Sequence, residues 1–249
     1  MKRVTILVGA LAATTAVVYG QEESPHVATG SVALTTDYLF RGISRTDNGP
    51  AIQGSLEYNF TPWGIYLGAW ASNVDTLTSE GEVEIDWYGG FRGEFATTGV
   101  GWDLGAIYYH YPGDDERLAQ PLEADYVEGK AGLSYKFQGA PFEPATSATV
   151  YWSPDFYRET GDAVYVDGSL GLSLPYELGL GFHVGYQYAD GFDDIGDGDY
   201  IDWRVGLSRE VLGFGLDVSY WNAENAASFC GVGSEQCGGT VVGTISKKF

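Results

Sequence analysis

Three histidines, His26, His110 and His183, and two cysteines, Cys230 and Cys237, are the side chains of this 249-residue chain best suited to nucleophilic, acid–base or metal chemistry. A nucleophilic Ser or Cys needs a supporting His. No His-x-Ser or Gly-x-Ser-x-Gly pattern stands near any of the three, so no catalytic residue is assigned and no enzyme is expected. His183 reads as a polar wall residue in mid-strand. Cys230 and Cys237 are too few to hold a metal by themselves. In an oxidising compartment they pair, and closing so short a loop contributes roughly 2–3 kcal/mol in the chain-entropy picture. Asp190, Asp193, Asp194, Asp197 and Asp199 crowd one loop with hard oxygens, but the spacing is not that of an EF-hand. A solvated acidic loop is expected there, with no metal site and no cofactor.

What remains is charge. The formal charge is −21 at pH 7, and the isoelectric point is near 4.2. Nucleic acid and anionic lipid surfaces need clustered Lys and Arg, so polynucleotide binding is set aside. The 36 glycines, about twice the usual share of roughly 7%, disfavour helix interiors and point to a β protein. With 44% hydrophobic and 15% aromatic residues the chain is too apolar for disorder, and its length suits one large β domain. Lys2 and Arg3 precede an apolar or small run from Val4 to Val18, which closes on Gly20 before Gln21. That pattern predicts a cleaved signal peptide over residues 1–20 and an exported domain over 21–249. The run is also shorter than the roughly 20 residues a membrane helix needs.

The elements that must position these side chains show in a period of two. From Glu82 to Phe95, Val83, Ile85, Trp87, Phe91 and Phe95 form one file, and Glu82, Glu84, Asp86, Tyr88, Arg92 and Glu94 form the other. Segments 50–60, 124–137, 164–174 and 178–189 separate in the same way. Twelve strands are predicted, at 30–43, 50–60, 64–75, 82–95, 100–111, 124–137, 146–154, 164–174, 178–189, 200–209, 214–222 and 239–249. Short turns alternate with longer loops, and only the link at 44–49 is modest for a long loop. The layout is that of a transmembrane antiparallel up-and-down β-barrel.

A soluble barrel would turn its large apolar residues inward, yet twelve strands enclose too wide a space for that file to fill. A charge on the lipid face costs about 2–4 kcal/mol at mid-depth, which accounts for the uncharged file. Phe60, Trp63, Phe95, Trp102, Tyr176 and Phe214 cluster by the short turns, and Tyr38, Phe40, Trp70, Trp87, Tyr108, Trp152, Tyr188, Trp203 and Tyr220 nearer the long loops. Two interfacial girdles are expected. The terminal strand ends on Phe249, in the manner of a signal to the bacterial barrel-assembly machinery.

The stretch from Val32 to Phe60, with Leu-Thr-Thr-Asp-Tyr-Leu-Phe-Arg-Gly-Ile-Ser followed by Asp-Asn-Gly-Pro-Ala-Ile-Gln-Gly, resembles the TorF porin family. Trp70–Val74, Glu84–Gly90, Tyr108–Gly113 and Tyr151–Phe156 are similar to its later blocks, so the likeness covers nearly all of the exported chain. It implies an outer-membrane barrel of a Gram-negative bacterium and carries over no catalytic residue.

Function is then expected in the lumen. Its wall is predicted to include Asp37, Arg41, Glu57, Glu84, Asp86, Arg92, Glu94, Asp103, Glu128, Lys130, Lys136, Asp167, Asp202, Arg204 and Asp217, with acids outnumbering bases. Such a surplus concentrates cations. The expectation is a narrow, cation-preferring channel for small hydrophilic solutes or ions, embedded in outer-membrane lipid and lipopolysaccharide. The alternative is a closed structural or surface-binding barrel working through its outer loops. That alternative requires Arg41, Arg92, Lys130 or Arg204 to be locked in ion pairs across a filled lumen. A barrel enzyme requires His183 beside a hydroxyl near the lipid face.

Overall fold

The computed structural model describes residues 24–75, 82–112, 124–192, 198–230 and 235–249. The predicted signal peptide and the aspartates at 193, 194 and 197 lie outside them. Twelve strands close into one antiparallel barrel: β1 (His26–Thr35), β4 (Ala51–Phe60), β5 (Ile65–Asn73), β6 (Val83–Phe95), β7 (Val100–His110), β8 (Tyr126–Lys136), β9 (Ala145–Ser153), β10 (Ala163–Leu174), β11 (Leu178–Ala189), β12 (Asp199–Val211), β13 (Phe214–Glu224) and β14 (Thr240–Lys248). Each strand pairs with its sequence neighbours, and β1 closes the ring against β14, Ser31 opposite Lys248 and Thr35 opposite Thr244. Eleven of the twelve predicted segments coincide with strands to within a few residues.

The ends of the first long loop are the exception. The predicted strand 30–43 stops at Thr35, and the link read as a modest 44–49 runs from Thr36 to Pro50. Within it Leu39–Phe40 (β2) and Ile43–Ser44 (β3) form a small separate hairpin. Its turn residues Arg41 and Gly42 have φ of 50° and 78°, the positive pair that a tight two-residue hairpin turn requires. A hairpin period and a barrel-strand period are both two, so alternation alone could not mark where β1 ends.

The two faces of the sheet differ as the alternation requires. Ile52 is 63% exposed, Leu67 59% and Trp87 54%, all on the outside, while Glu84, Asp86 and Glu128 on the inside are each 1% exposed. The arrangement inverts that of a soluble barrel, and the outer surface suits a hydrocarbon solvent. Glycine serves the inner face by letting large side chains lie flat on the wall. A Cβ at Gly105 would meet the Tyr66 hydroxyl, and one at Gly206 the Arg204 guanidinium.

Of the predicted girdle residues, Trp63, Phe95, Tyr176 and Phe214 are exposed at the short turns, and Trp87, Tyr108, Trp152 and Tyr220 toward the loops. Tyr38, Phe40 and Trp70 are corrections. Tyr38 and Phe40 belong to the first loop, and Trp70 opposes inward-facing Ser55 and Asp86, so it points into the barrel against Tyr38.

One loop-end anchor carries a pH prediction. Asp125, just before β8, accepts hydrogen bonds from the Tyr108 hydroxyl (2.5 Å), from His110 Nδ1 (2.7 Å) and from the Tyr111 amide (2.7 Å). Burial raises its pKa, but these donors outweigh burial and hold the carboxyl below its usual range. A folded value below the unfolded one stabilises above the unfolded pKa of about 3.9. That contribution is lost as pH falls through the depressed folded value. Acid unfolding followed by circular dichroism should therefore begin at higher pH in Asp125→Asn than in the parent. Coincident acid limbs would show that the anchor contributes nothing.

Candidate functional site

The lumen divides into two halves. At the loop end it is filled by the hairpin of β2 and β3, folded inward. Arg41 at its tip is buried and donates from Nη1 to Gln187 Oε1 (2.7 Å) and from Nη2 to Glu128 Oε2 (2.6 Å). Its Cζ lies 4.1 Å from the ring centroid of Tyr165, 4.7 Å from Phe40 and 5.3 Å from Tyr151. The base of the loop holds itself together, because Asp37 Oδ1 accepts from the hydroxyls of Ser44 (2.7 Å) and Thr46 (3.0 Å). Tyr38 donates to Glu84 (2.9 Å), and Arg45 donates to the Tyr111 hydroxyl (3.2 Å) with its Nε 4.0 Å from Glu84. Around the hairpin pack Tyr109, Tyr111, Tyr126, Phe156 and Ile107.

Two of the predicted wall residues are therefore not on the wall. Asp37 and Arg41 sit on the inward loop, one fastening its base and the other its tip. The reason is the early end of β1: past Thr35 the chain leaves the sheet, and alternation no longer sets direction.

At the turn end the charges pair along the wall. Arg92 meets Glu57 (2.9 Å), Lys130 meets Asp103 (3.2 Å) and Arg204 meets Asp217 (2.6 Å). Arg92 lies 3.8 Å over the ring of Tyr66, whose hydroxyl donates to Asp103 (2.7 Å). Each of these pairs joins the same or nearby strands, and none of the three spans the lumen. Glu94 and Lys136 stand at the turn-end rim, where Glu94 is exposed and Lys136 pairs with Glu143 (2.9 Å). Glu84, Asp86, Glu128, Asp167 and Asp202 all face inward. Asp86 and Asp167 have no ion pair among the described residues.

His183 Nε2 lies 2.9 Å from Asp202 Oδ1 and 3.1 Å from the Tyr165 hydroxyl, and that hydroxyl donates to Asp202 Oδ2 (2.9 Å). All three are buried on the lumen side, away from the outer face. Cys230 and Cys237 are joined in a disulfide. The stapled segment lies against the first loop: Ile43, Cys230 and Cys237 pack on one cluster of Tyr200, Ala223 and Ala226, and Gln236 Nε2 reaches Asp47 Oδ1 (3.4 Å).

The inward tyrosines, Gln187, Trp221 and Arg45 were missed by reading charge alone. A signal existed for most of them. Tyr126, Tyr165 and Tyr200 each stand two residues from an inward acid, Glu128, Asp167 and Asp202, so the same alternation places them in the lumen. Arg45 had no such signal, because it lies in the loop.

A model of the family described as "Bacterial protein of unknown function (Gcw_chp)" matches residues 20–249. The chain belongs to the Gcw_chp family. No curated protein matches it. Among solved structures, this Gcw_chp member is similar to a KdgM porin in complex with disordered oligogalacturonate. The identity is 9% and the TM-score 0.52, over 90% of this chain and 98% of that one. It is also similar to the COG4313 outer membrane channel of Pseudomonas putida F1, at 10% identity and a TM-score of 0.48, over 89% and 95% of the two chains. At such identity the likeness to the KdgM porin is one of fold, and the fold is that of an outer-membrane channel barrel.

Proposed function

We propose that this Gcw_chp protein is an outer-membrane channel for passive diffusion of small hydrophilic solutes, with a preference for cations. The observation that carries it is a closed twelve-stranded barrel with an apolar exterior and a lumen lined by charge. The barrel of the KdgM porin has the same fold. The resemblance to the TorF porin family over Val32–Phe60 supports the same reading. In this reading residues 1–20 direct export, the exposed apolar face meets outer-membrane lipid, the outer loops face lipopolysaccharide, and Phe249 addresses the assembly machinery. Cation preference rests on the surplus of inward acids over inward bases along the wall, since net negative charge raises the local cation concentration.

The second reading, a closed barrel acting through its loops, is favoured by the packed loop-end half, where Arg41 is clamped. The pairs of Arg92, Lys130 and Arg204 argue less for it, because they run along the wall and leave the turn-end lumen unbridged. Single-channel recording in planar bilayers, with the reversal potential under a KCl gradient, separates the two. The expected result is small steady steps with a cation-selective reversal potential. Folded, heat-modifiable protein that stays silent both with and without its β2–β3 hairpin would end the channel reading.

A further inference from the structure

The groups around Arg41 form more than a convenient resting place. Glu128 Oε2 also accepts from the Tyr109 hydroxyl (3.0 Å), so its carboxylate is aimed inward without help from Arg41. Gln187 Nε2 donates to the carbonyl of Tyr188 (2.9 Å), which turns Oε1 toward the lumen. Tyr165 is tied through its hydroxyl to Asp202, leaving its ring face free for the guanidinium. Thus two acceptors and the Tyr165 face, all on barrel strands, are held in position by bonds in which Arg41 takes no part, and the ring of Tyr151 on β9 lies 6.0 Å from that of Tyr165.

Their combined chemistry is specific. Two acceptors on one edge match the paired N–H groups of a planar cation. The tyrosine faces match its weakly hydrated plane by cation–π attraction. We propose that this cage is an organic-cation subsite of the channel, selective for guanidinium-bearing solutes, and that Arg41 fills it as a ligand supplied by the chain itself. The inference rests on the channel reading for its role in transport, whereas binding to the cage can be measured without it.

The full-length variant Arg41→Gly empties the cage and keeps the hairpin turn, because glycine adopts the positive φ of that position without strain. Its unit conductance and its thermal unfolding are followed with millimolar guanidinium chloride against equal sodium chloride. Guanidinium is expected to block the variant and raise its unfolding temperature, with no such effect on the parent. Adding Glu128→Gln should weaken the block about tenfold, equivalent to ~1.4 kcal/mol.

Equal conductance and equal stability in the two salts would overturn the subsite while leaving the channel intact. If the variant and a hairpin-free barrel are both silent, the channel reading fails, and the thermal shift alone decides the cage. A guanidinium-specific shift that needs Glu128 upholds it, and the absence of a shift overturns it. Should Arg41→Gly not refold, Arg41→Asn, which also tolerates the left-handed turn, carries the same measurements.

Discussion

A barrel in which Tyr38 is joined to Arg45 through two glycines, in place of Leu39–Ser44, is expected to give unit conductance steps far larger than those of the parent. The cut is feasible because the Arg45 amide already donates to the Tyr38 carbonyl at 2.7 Å, so the ends need no rearrangement to meet across a short linker. No barrel strand is touched. The excision removes Phe40 and Arg41 from the loop-end lumen and exposes Glu128 and Gln187, whose partner in the closed state is Arg41. Cation selectivity should sharpen as well, since one buried positive charge leaves and a carboxylate is freed. Bilayer recording of both proteins is the check. A folded excision variant with parental step size would mean that the hairpin does not limit conduction.

The second large effect is on stability. Glu128→Ala leaves the Arg41 guanidinium buried with only an amide to bond, and removing one partner of a buried pair costs about 3–5 kcal/mol. The barrel can escape much of that cost by releasing the hairpin to water. Two observables then move together: a lower unfolding temperature, and tryptic cleavage at Arg41 or Arg45 in the folded protein, both of which the parent resists. Glu128→Gln keeps an acceptor for both Arg41 and Tyr109 and should lose much less. If Glu128→Ala matches the parent in both measurements, the clamp is not what seats the hairpin.

How far the sequence could reach is clearest at residues 30 to 45. Alternation located β4 through β14 because each strand has one face in an apolar setting and one in a polar setting, and that physical difference is written in residue types. The lumen-facing placement of Glu84, Asp86, Glu128, Asp202 and Arg204 was legible for the same reason. The run from Val32 to Ser44 alternates too, but its second half packs inside the barrel, with Asp37, Tyr38, Arg41 and Ser44 buried. Tyr38, Phe40 and Arg41 then obey packing inside the barrel and not the contrast between lipid and water. Pairing of charges along the wall was equally hidden, because which acid meets which base depends on the register between strands, such as Arg92 opposite Asp103 yet bonded to Glu57. A resemblance read from the first block found the barrel but could not show that this block is the plug.

The disulfide-stapled segment before β14 rests on the hairpin between β1 and β4, and β14 is also the strand that closes against β1. The chain's first loop is therefore covered by a segment made long after it. A nascent chain that has not yet reached Cys230 has neither the completed wall nor the covering segment over the hairpin that carries Arg41. Full seating of the hairpin therefore depends on a segment distant in sequence, and the same stretch of chain that leads into the β1–β14 seam also covers the loop that leaves β1.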